Sequence, residues 1–204
     1  MTTSLGPHVV DADAHVLEPP DLWLNYLEPS FRQRAIRIKT DNRGLEYLEI
    51  DGKVSKRNAG GMLFTLGGYG KSLEELTPHP DRTYAGCAPL GSMRPHDRVR
   101  YLDNEGVDAA VLYPSLGLLW EPEVTDIGLC DAYCRAYNRW IIDFCSDSAD
   151  RLIPIAHISL GDVGLAVKEL ERAVNSGARG AFVAPHTITR RPHGHPEHDP
   201  FWAK

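Results

Sequence analysis

Segments typical of buried strands alternate with segments typical of amphipathic helices along most of the chain. Residues 107–112 and 152–158 are short, nearly continuous apolar runs, as expected for strands that are buried on both faces. Between them, the apolar residues of 124–149 recur every three or four positions, which predicts a helix. Because parallel strands need a crossover connection, this alternation predicts parallel βαβ units. The pattern alone fits either an open doubly wound sheet or part of a closed barrel.

Further elements extend the alternation in both directions. Residues 8–13 predict a first strand with an apolar start and an acidic end, and residues 94–105 predict a helix that Gly106 ends. Asp162 is placed to cap a helix that runs to Asn175, and residues 180–184 predict a fourth strand. We expect the following residues to face inward on that last helix: Ala166, Leu170, Ala173 and Val174.

One region interrupts the alternation. Residues 36–39 and 45–50 alternate like strands around a turn at 42–44, which predicts a hairpin, and a glycine-rich stretch at 60–70 follows. The glycines form neither of the usual phosphate-binding motifs, so we interpret this stretch as a mobile lid or loop. We therefore expect one domain over residues 1–204, with an insertion at 36–90.

The composition excludes some classes of partner. The formal net charge is -6, whereas binding to a phosphate backbone needs clustered Lys and Arg, so we expect no nucleic-acid partner. No apolar run approaches the roughly 20 residues that span a bilayer, so we expect no membrane partner. Cys130 and Cys134 stand four residues apart and could be metal ligands or a redox pair, but small core side chains are the favoured interpretation. The cysteines are typical of a reduced, cytoplasmic protein.

The residues that indicate chemistry stand at the end of the first strand, in the run from Asp11 to His15. Side chains two apart on a strand share a face, so Asp13 and His15 can project into the same space, with Asp11 one step deeper. The carboxyl ends of parallel strands are where active sites of such folds lie, and a carboxylate with an imidazole suits Zn, Mn or Fe. The alternative is that the two aspartates hydrogen-bond the following loop and His15 is a surface residue.

Other polar residues follow the later strands. Tyr113 follows the second strand and His186 the fourth, at the level where a substrate would bind, so both are candidate substrate contacts. His157 lies within a strand and is more typical of a core residue. A histidine-rich loop near the end of the chain is interpreted as solvent-exposed; its histidines are His193, His195 and His198.

Several segments together resemble amidohydrolase-like enzymes related to aminocarboxymuconate semialdehyde decarboxylase. They are residues 9–19, 106–114, 137–140, 151–152 and 199–202, so the resemblance extends over nearly the whole chain. The resemblance implies a (β/α)8 barrel of the TIM type. It also implies a metal-dependent hydrolase or non-oxidative decarboxylase that acts on a small carboxylated or cyclic substrate.

The same resemblance implies roles for individual residues. Asp13 matches the family's first metal ligand, in its acidic variant, and His15 matches the second. We expect a divalent ion, zinc first, with manganese or iron as alternatives; the acidic ligand would favour a harder ion such as manganese. A third ligand His, an Asp and an acid/base His are implied at positions beyond Lys204, so the catalytic residues remain unknown.

The end of the chain adds an expectation about its extent. Asp199 and Pro200 form a helix-start signal, and a complete barrel needs roughly 250 residues. We therefore expect an α/β chain truncated after about four strands; the alternative is a half-barrel that dimerises, and a homo-oligomer is expected. The parent would be an enzyme with a small-molecule substrate. The competing hypothesis is a catalytically incomplete fragment or a non-enzymatic remnant of that family.

Overall fold

A computed structural model describes residues 8–185 and 187–204, and these residues form two sheets flanked by helices. The strands are β1 (Val10–His15), β2 (Arg37–Thr40), β3 (Glu46–Ile50), β4 (Lys53–Val54), β5 (Ala109–Tyr113), β6 (Leu152–Ile158) and β7 (Gly180–Val183). The helices are α1 (Leu22–Tyr26), α2 (Pro95–Glu105), α3 (Gly117–Trp120), α4 (Ile127–Cys145), α5 (Val163–Asn175) and α6 (Asp199–Trp202). No described helix combines the length and the apolar character needed to cross a bilayer.

The larger sheet contains the four strands that the sequence predicts, all parallel, in the order β1-β5-β6-β7. Each new strand is added beside the preceding one, whereas a doubly wound sheet reverses its strand order at a switch point. The sheet is therefore a parallel four-stranded half-barrel. Among the connections, α2, α4 and α5 are the long helices, and each ends close to the start of the next strand.

The insertion forms a separate antiparallel sheet in the order β2-β3-β4. The predicted hairpin is thus present, with one further short strand. Asp51 and Gly52 both have positive φ, of 51° and 72°, as a two-residue hairpin turn of the primed type requires. In the glycine-rich stretch Leu63 and Phe64 are buried, so this part packs against the protein, while the side chain of Tyr69 is fully exposed.

The main core lies between the parallel sheet and α4. Asp126 caps α4, because its carboxylate accepts a hydrogen bond from the Leu129 amide at 3.1 Å. Three aromatic rings pack edge to face beside the helix; they belong to Trp23, Trp120 and Tyr133. All four cysteines are free, and three of them are buried on α4 as the core interpretation predicts: Cys130, Cys134 and Cys145.

Helix α5 is capped as predicted but is not buried as predicted at its last turn. The Asp162 carboxylate accepts from the Leu165 amide at 2.9 Å. Ala166 and Ala173 are buried, whereas Val174 is 49% exposed, so its expected inward position is wrong. Adjacent helical residues are rotated by about 100°, so a residue next to Ala173 leaves the narrow buried stripe of this helix.

Candidate metal site at the carboxyl edge of the sheet

The acidic motif interrupts the regular pairing of β1 with β5. Asp11 pairs with Ala110 and Ala14 pairs with Leu112, so three steps along β1 match two steps along β5. This irregularity is a β-bulge, which re-aims side chains at a strand end. Within it the Asp11 carboxylate accepts a hydrogen bond from the Asp13 amide at 3.1 Å.

The bulge brings the side chains of Asp13 and His15 together. Asp13 Oδ1 lies 3.9 Å from His15 Nε2, and the Asp13 side chain is 93% exposed. On the other side of the ring, His15 Nδ1 lies 2.9 Å from the Pro114 carbonyl oxygen. A carbonyl oxygen can only accept, so Nδ1 is the donor, and in the neutral imidazole the lone pair of Nε2 faces Asp13.

These two side chains fit a divalent ion. A neutral imidazole held by a backbone carbonyl through its second nitrogen is the usual arrangement of a metal-binding histidine, and a carboxylate oxygen beside it supplies charge. Among residues 8–185 and 187–204, no group of three or more His, Cys, Asp or Glu side chains is placed to hold a metal ion. The described part of the chain therefore offers two neighbouring candidate ligands.

Of the two predicted substrate contacts, one lies beside this pair. Tyr113 is the register partner of His15, and the two ring centroids are 6.0 Å apart with a 40° tilt. His186 lies outside the described residues. The Tyr113 ring thus lies beside the His15 imidazole.

Glu18 joins the segment after β1 to the loop after β5. Its fully buried carboxylate accepts hydrogen bonds from the amides of Leu116 at 2.8 Å, Gly117 at 3.1 Å and Ser115 at 3.2 Å. Burial raises the pKa of Glu18, and the amide hydrogen bonds oppose that shift. The connection holds Pro114, which lies in the same loop, close to the His15 ring.

Arg98 on α2 contacts the backbone of His15, the last residue of β1. The side chain is buried, and its guanidinium donates to the His15 carbonyl through Nη2 and to the Gly91 carbonyl through Nε at 2.9 Å. Burial lowers the pKa of Arg98, and the nearby Asp11 carboxylate acts in the opposite direction. His15 is therefore held through its ring by Pro114 and through its backbone by Arg98.

A second histidine lies in the core, as its position within a strand indicated. His157 is fully buried, and its Nε2 lies 2.7 Å from a carboxylate oxygen of Glu121, which is also buried. Asn138 on α4 pairs with the backbone of His157 on both its N–H and C=O groups. Nε2 of His157 is thus engaged by Glu121 in the core.

The histidine-rich loop is less exposed than predicted. His198 is 1% exposed, and its Nδ1 lies 3.2 Å from the His193 carbonyl oxygen. The same carbonyl accepts from the Trp202 indole at 2.9 Å. The loop folds back on the start of α6, which buries His198, while His195 contacts Glu197 near the surface.

The insertion is attached to the loop that follows α3. Glu123 accepts from the Ser55 hydroxyl at 2.7 Å and from the Lys56 amide at 2.9 Å. A cleft of about 300 Å³ lies beside this contact, with Asp51 and Lys53 among the residues that line it. The smaller sheet is therefore anchored at the same edge of the parallel sheet as the candidate site.

Sequence reasoning missed Glu18 and Arg98 as supporting residues. Glu18 stood within a matched segment, but nothing local distinguishes a buried Glu from a loop Glu. Arg98 occupies a helix that also contains the exposed charged residues Arg100, Asp103 and Glu105. The backbone groups at a buried strand end need hydrogen-bond partners, so the sequence indicates that some side chain or backbone group must supply them. It does not indicate which residue does.

Comparison with known proteins agrees with this architecture. A family model described as amidohydrolase matches residues 10–204. An amidohydrolase from Mycobacterium avium subsp. paratuberculosis K-10 is 23% identical, with a TM-score of 0.72, over 98% of this chain and 56% of its own. The 2,6-dihydroxybenzoate decarboxylase from Rhizobium is 17% identical, with a TM-score of 0.53, over 96% of this chain and 46% of its own.

A third solved structure contains a metal and a ligand. The 5-carboxyvanillate decarboxylase from Novosphingobium aromaticivorans DSM 12444, complexed with manganese and 4-hydroxy-3-methoxy-5-nitrobenzoic acid, is 17% identical, with a TM-score of 0.56. It aligns over 98% of this chain and 47% of its own. No curated protein sequence matches. The chain spans about half the length of the solved structures that it matches.

Proposed function

The chain belongs to the amidohydrolase family, and from this premise we propose that it contributes a divalent metal site to a non-oxidative decarboxylase of small aromatic carboxylates. The family match agrees with the resemblance noted in the sequence. Hydrolysis is the second candidate, since the amidohydrolase from Mycobacterium avium has the higher structural similarity. We further propose that residues 1–204 are one domain into which 36–90 is inserted.

The observation that carries the proposal is the orientation of His15. Its Nδ1 is engaged by the Pro114 carbonyl, so Nε2 faces the Asp13 carboxylate 3.9 Å away at the carboxyl end of β1. Of the ways to arrange a surface histidine, this one keeps the metal-binding nitrogen free and directs it at a second ligand. Asp13 and His15 would hold the ion, and further ligands would come from outside the residues that the structure describes.

Pro114 and Tyr113 would orient the metal ligand and the substrate. When bound, a divalent ion supplies a Lewis acid that polarises a carboxylate or carbonyl group. Pro114 keeps the proton of His15 on Nδ1, which leaves Nε2 basic. The Tyr113 ring forms a flat wall beside the imidazole, suited to contact with a planar aromatic acid. Solved relatives with manganese and a benzoic-acid ligand, and with decarboxylase activity in their names, support this substrate class.

Binding of Mn²⁺ to the isotope-labelled chain tests the site. We expect Mn²⁺ to broaden the NMR signals of the His15 ring and of the Asp13 amide before others, because a paramagnetic ion relaxes nearby nuclei most strongly. His15→Gln and Asp13→Asn should each weaken this binding by about tenfold or more, since the described residues offer two candidate ligands and each variant removes one of them. Broadening that persists unchanged in both variants would contradict the assignment.

The chain offers a matched control pair. His79 and Asp81 have the same two-residue separation of a histidine and an aspartate, and His79 Nδ1 lies 3.5 Å from the Asp81 carboxylate. This pair is exposed, and its histidine uses Nδ1 to accept from the Asp81 amide. His79→Gln should leave Mn²⁺ binding unchanged. Mn²⁺-dependent release of carbon dioxide from 2,6-dihydroxybenzoate would favour decarboxylation over the hydrolytic alternative.

A further inference from the structure

Arg98 is a buried cation whose hydrogen bonds go to backbone carbonyls. The residue is 7% exposed, and among the described residues it forms no salt bridge with a carboxylate. Its two hydrogen bonds reach the His15 carbonyl and the Gly91 carbonyl. Burying a guanidinium costs several kcal/mol unless its donors are satisfied. Here backbone carbonyls, and not a carboxylate in an ion pair, accept from it.

The loop before α2 packs closely against the helix backbone at Arg98. Gly91 has a φ of 79°, and a Cβ atom there would lie 2.5 Å from the Arg98 Cα atom. The close approach lets the Gly91 carbonyl fix the Nε end of the planar fork. The other end of the fork is then directed at the His15 carbonyl, at the last residue of β1.

We propose that Arg98 is a positioning residue for the metal site, which it serves by fixing the backbone of His15. The ring of His15 has one anchor, Pro114, and its main chain has a second, Arg98. With both in place, the direction of Nε2 towards Asp13 is set before any ion arrives. This inference rests on the proposed metal-binding function of that pair.

Two variants separate the effect of the two guanidinium hydrogen bonds from the effect of the positive charge. Arg98→Met keeps the apolar stem and removes both donors, whereas Arg98→Lys keeps a positive charge but cannot span both carbonyls. We expect Arg98→Met to weaken the apparent Mn²⁺ affinity at His15 by about 10- to 100-fold, as loss of an outer support of a metal ligand does. Arg98→Lys should fall between that variant and the unmodified chain, and it is the informative variant if Arg98→Met does not fold.

The metal-free chain gives an independent readout. The ¹⁵N shifts of the His15 ring report which nitrogen carries the proton, and we expect a single Nδ1–H form in the unmodified chain. Arg98→Met should mix the two forms, because a loosened backbone no longer holds Nδ1 at the Pro114 carbonyl. Absence of Mn²⁺ broadening in the unmodified chain would defeat the proposed function, while this tautomer measurement would still decide the role of Arg98.

Arg151 provides the control for a purely structural effect. It also donates to two backbone carbonyls, those of Asp108 and Val107, but at the opposite end of β5. Arg151→Met should lower the melting temperature and leave both the tautomer and the Mn²⁺ affinity unchanged. Equal effects of the Arg98 and Arg151 variants on His15, or no effect of either Arg98 variant, would overturn the inference.

Discussion

At the scale of single residues, the candidate site depends on side chains that contact backbone groups. His15 is oriented by the Pro114 carbonyl. Glu18 accepts hydrogen bonds from backbone amides of the loop that contains Pro114. Such hydrogen bonds contribute little net stability when made, but a buried group left without its partner costs considerably more. The residues around the site are therefore more sensitive to substitution than their distance from Asp13 suggests.

Glu18→Gln tests this sensitivity. The substituted side chain has one acceptor oxygen in place of two, and its NH2 group would face amide donors, so we expect a loss of about 1–3 kcal/mol in the free energy of unfolding. Urea unfolding at neutral pH measures it. Glu105→Gln, at an exposed position at the end of α2, is the control and should change stability little. Similar stability of the two variants would mean that the amide cluster does not depend on the carboxylate.

At the scale of elements, an arginine links the insertion to α4. Arg34 donates through Nε and Nη2 to the two carboxylate oxygens of Asp51, at 2.6 and 2.8 Å, and through Nη1 to Asp126 at 2.7 Å. Asp51 lies in the hairpin turn, and Asp126 is the N-cap of α4. The hydrogen bonds from Arg34 lower the pKa of both aspartates. One side chain thus connects the small sheet to the longest helix.

Arg34→Met should remove this connection in a pH-dependent way. The aspartate pKa values are lower in the folded chain than in the unfolded chain, so the stabilisation is complete above about pH 4 and is lost as the pH falls through the lowered values. We expect a loss of about 1 kcal/mol at pH 7, modest because the groups are partly exposed, and a smaller loss near pH 2.

Unfolding by urea at the two pH values measures the difference. Arg43→Met is a matched control, because Arg43 pairs with Asp41 beside the turn of the β2–β3 hairpin, within a single element pair of the described residues. A loss in Arg34→Met that is the same at both pH values would show that packing of the stem, and not the ion pair, carries the effect.

At the scale of the whole molecule, the half-barrel leaves sheet edges open within the described residues. There, β1 hydrogen-bonds to β5 alone and β7 to β6 alone. Val9 and Val10 at the start of β1 are 49% and 50% exposed. An edge strand with an exposed apolar start and unpaired backbone groups is a surface for strand pairing with another chain. Association of two copies through this edge stays a prediction.

Val10→Lys tests association through this edge. We expect the 204-residue chain to form concentration-dependent oligomers, and the lysine to shift them towards monomers, because a charge on an edge strand opposes pairing. Sedimentation velocity over a range of concentrations measures the shift. Val174→Lys is the control, since Val174 is equally exposed but lies on a helix. A monomer at all concentrations would contradict the expectation.

The sequence by itself determined the elements of this protein and their class. Apolar runs at 152–158 and amphipathic spacing in α4 are local patterns, and each predicted the element that the structure contains. Asp162 predicted the start of α5 in the same way. The position of Asp13 and His15 at the end of β1 was also predictable, because the end of a strand is recognised over a few residues.

The tertiary structure alone decided how those elements support a site. The bulge in β1, the Pro114 contact, the amide cluster around Glu18 and the reach of Arg98 all join residues far apart in sequence; Glu18 and Gly117 are 99 positions apart. Local propensity carries no information about which distant carbonyl or amide a side chain will meet. The strand order also belongs here, since the same βαβ pattern fits an open sheet or a barrel until packing selects the neighbours of each strand.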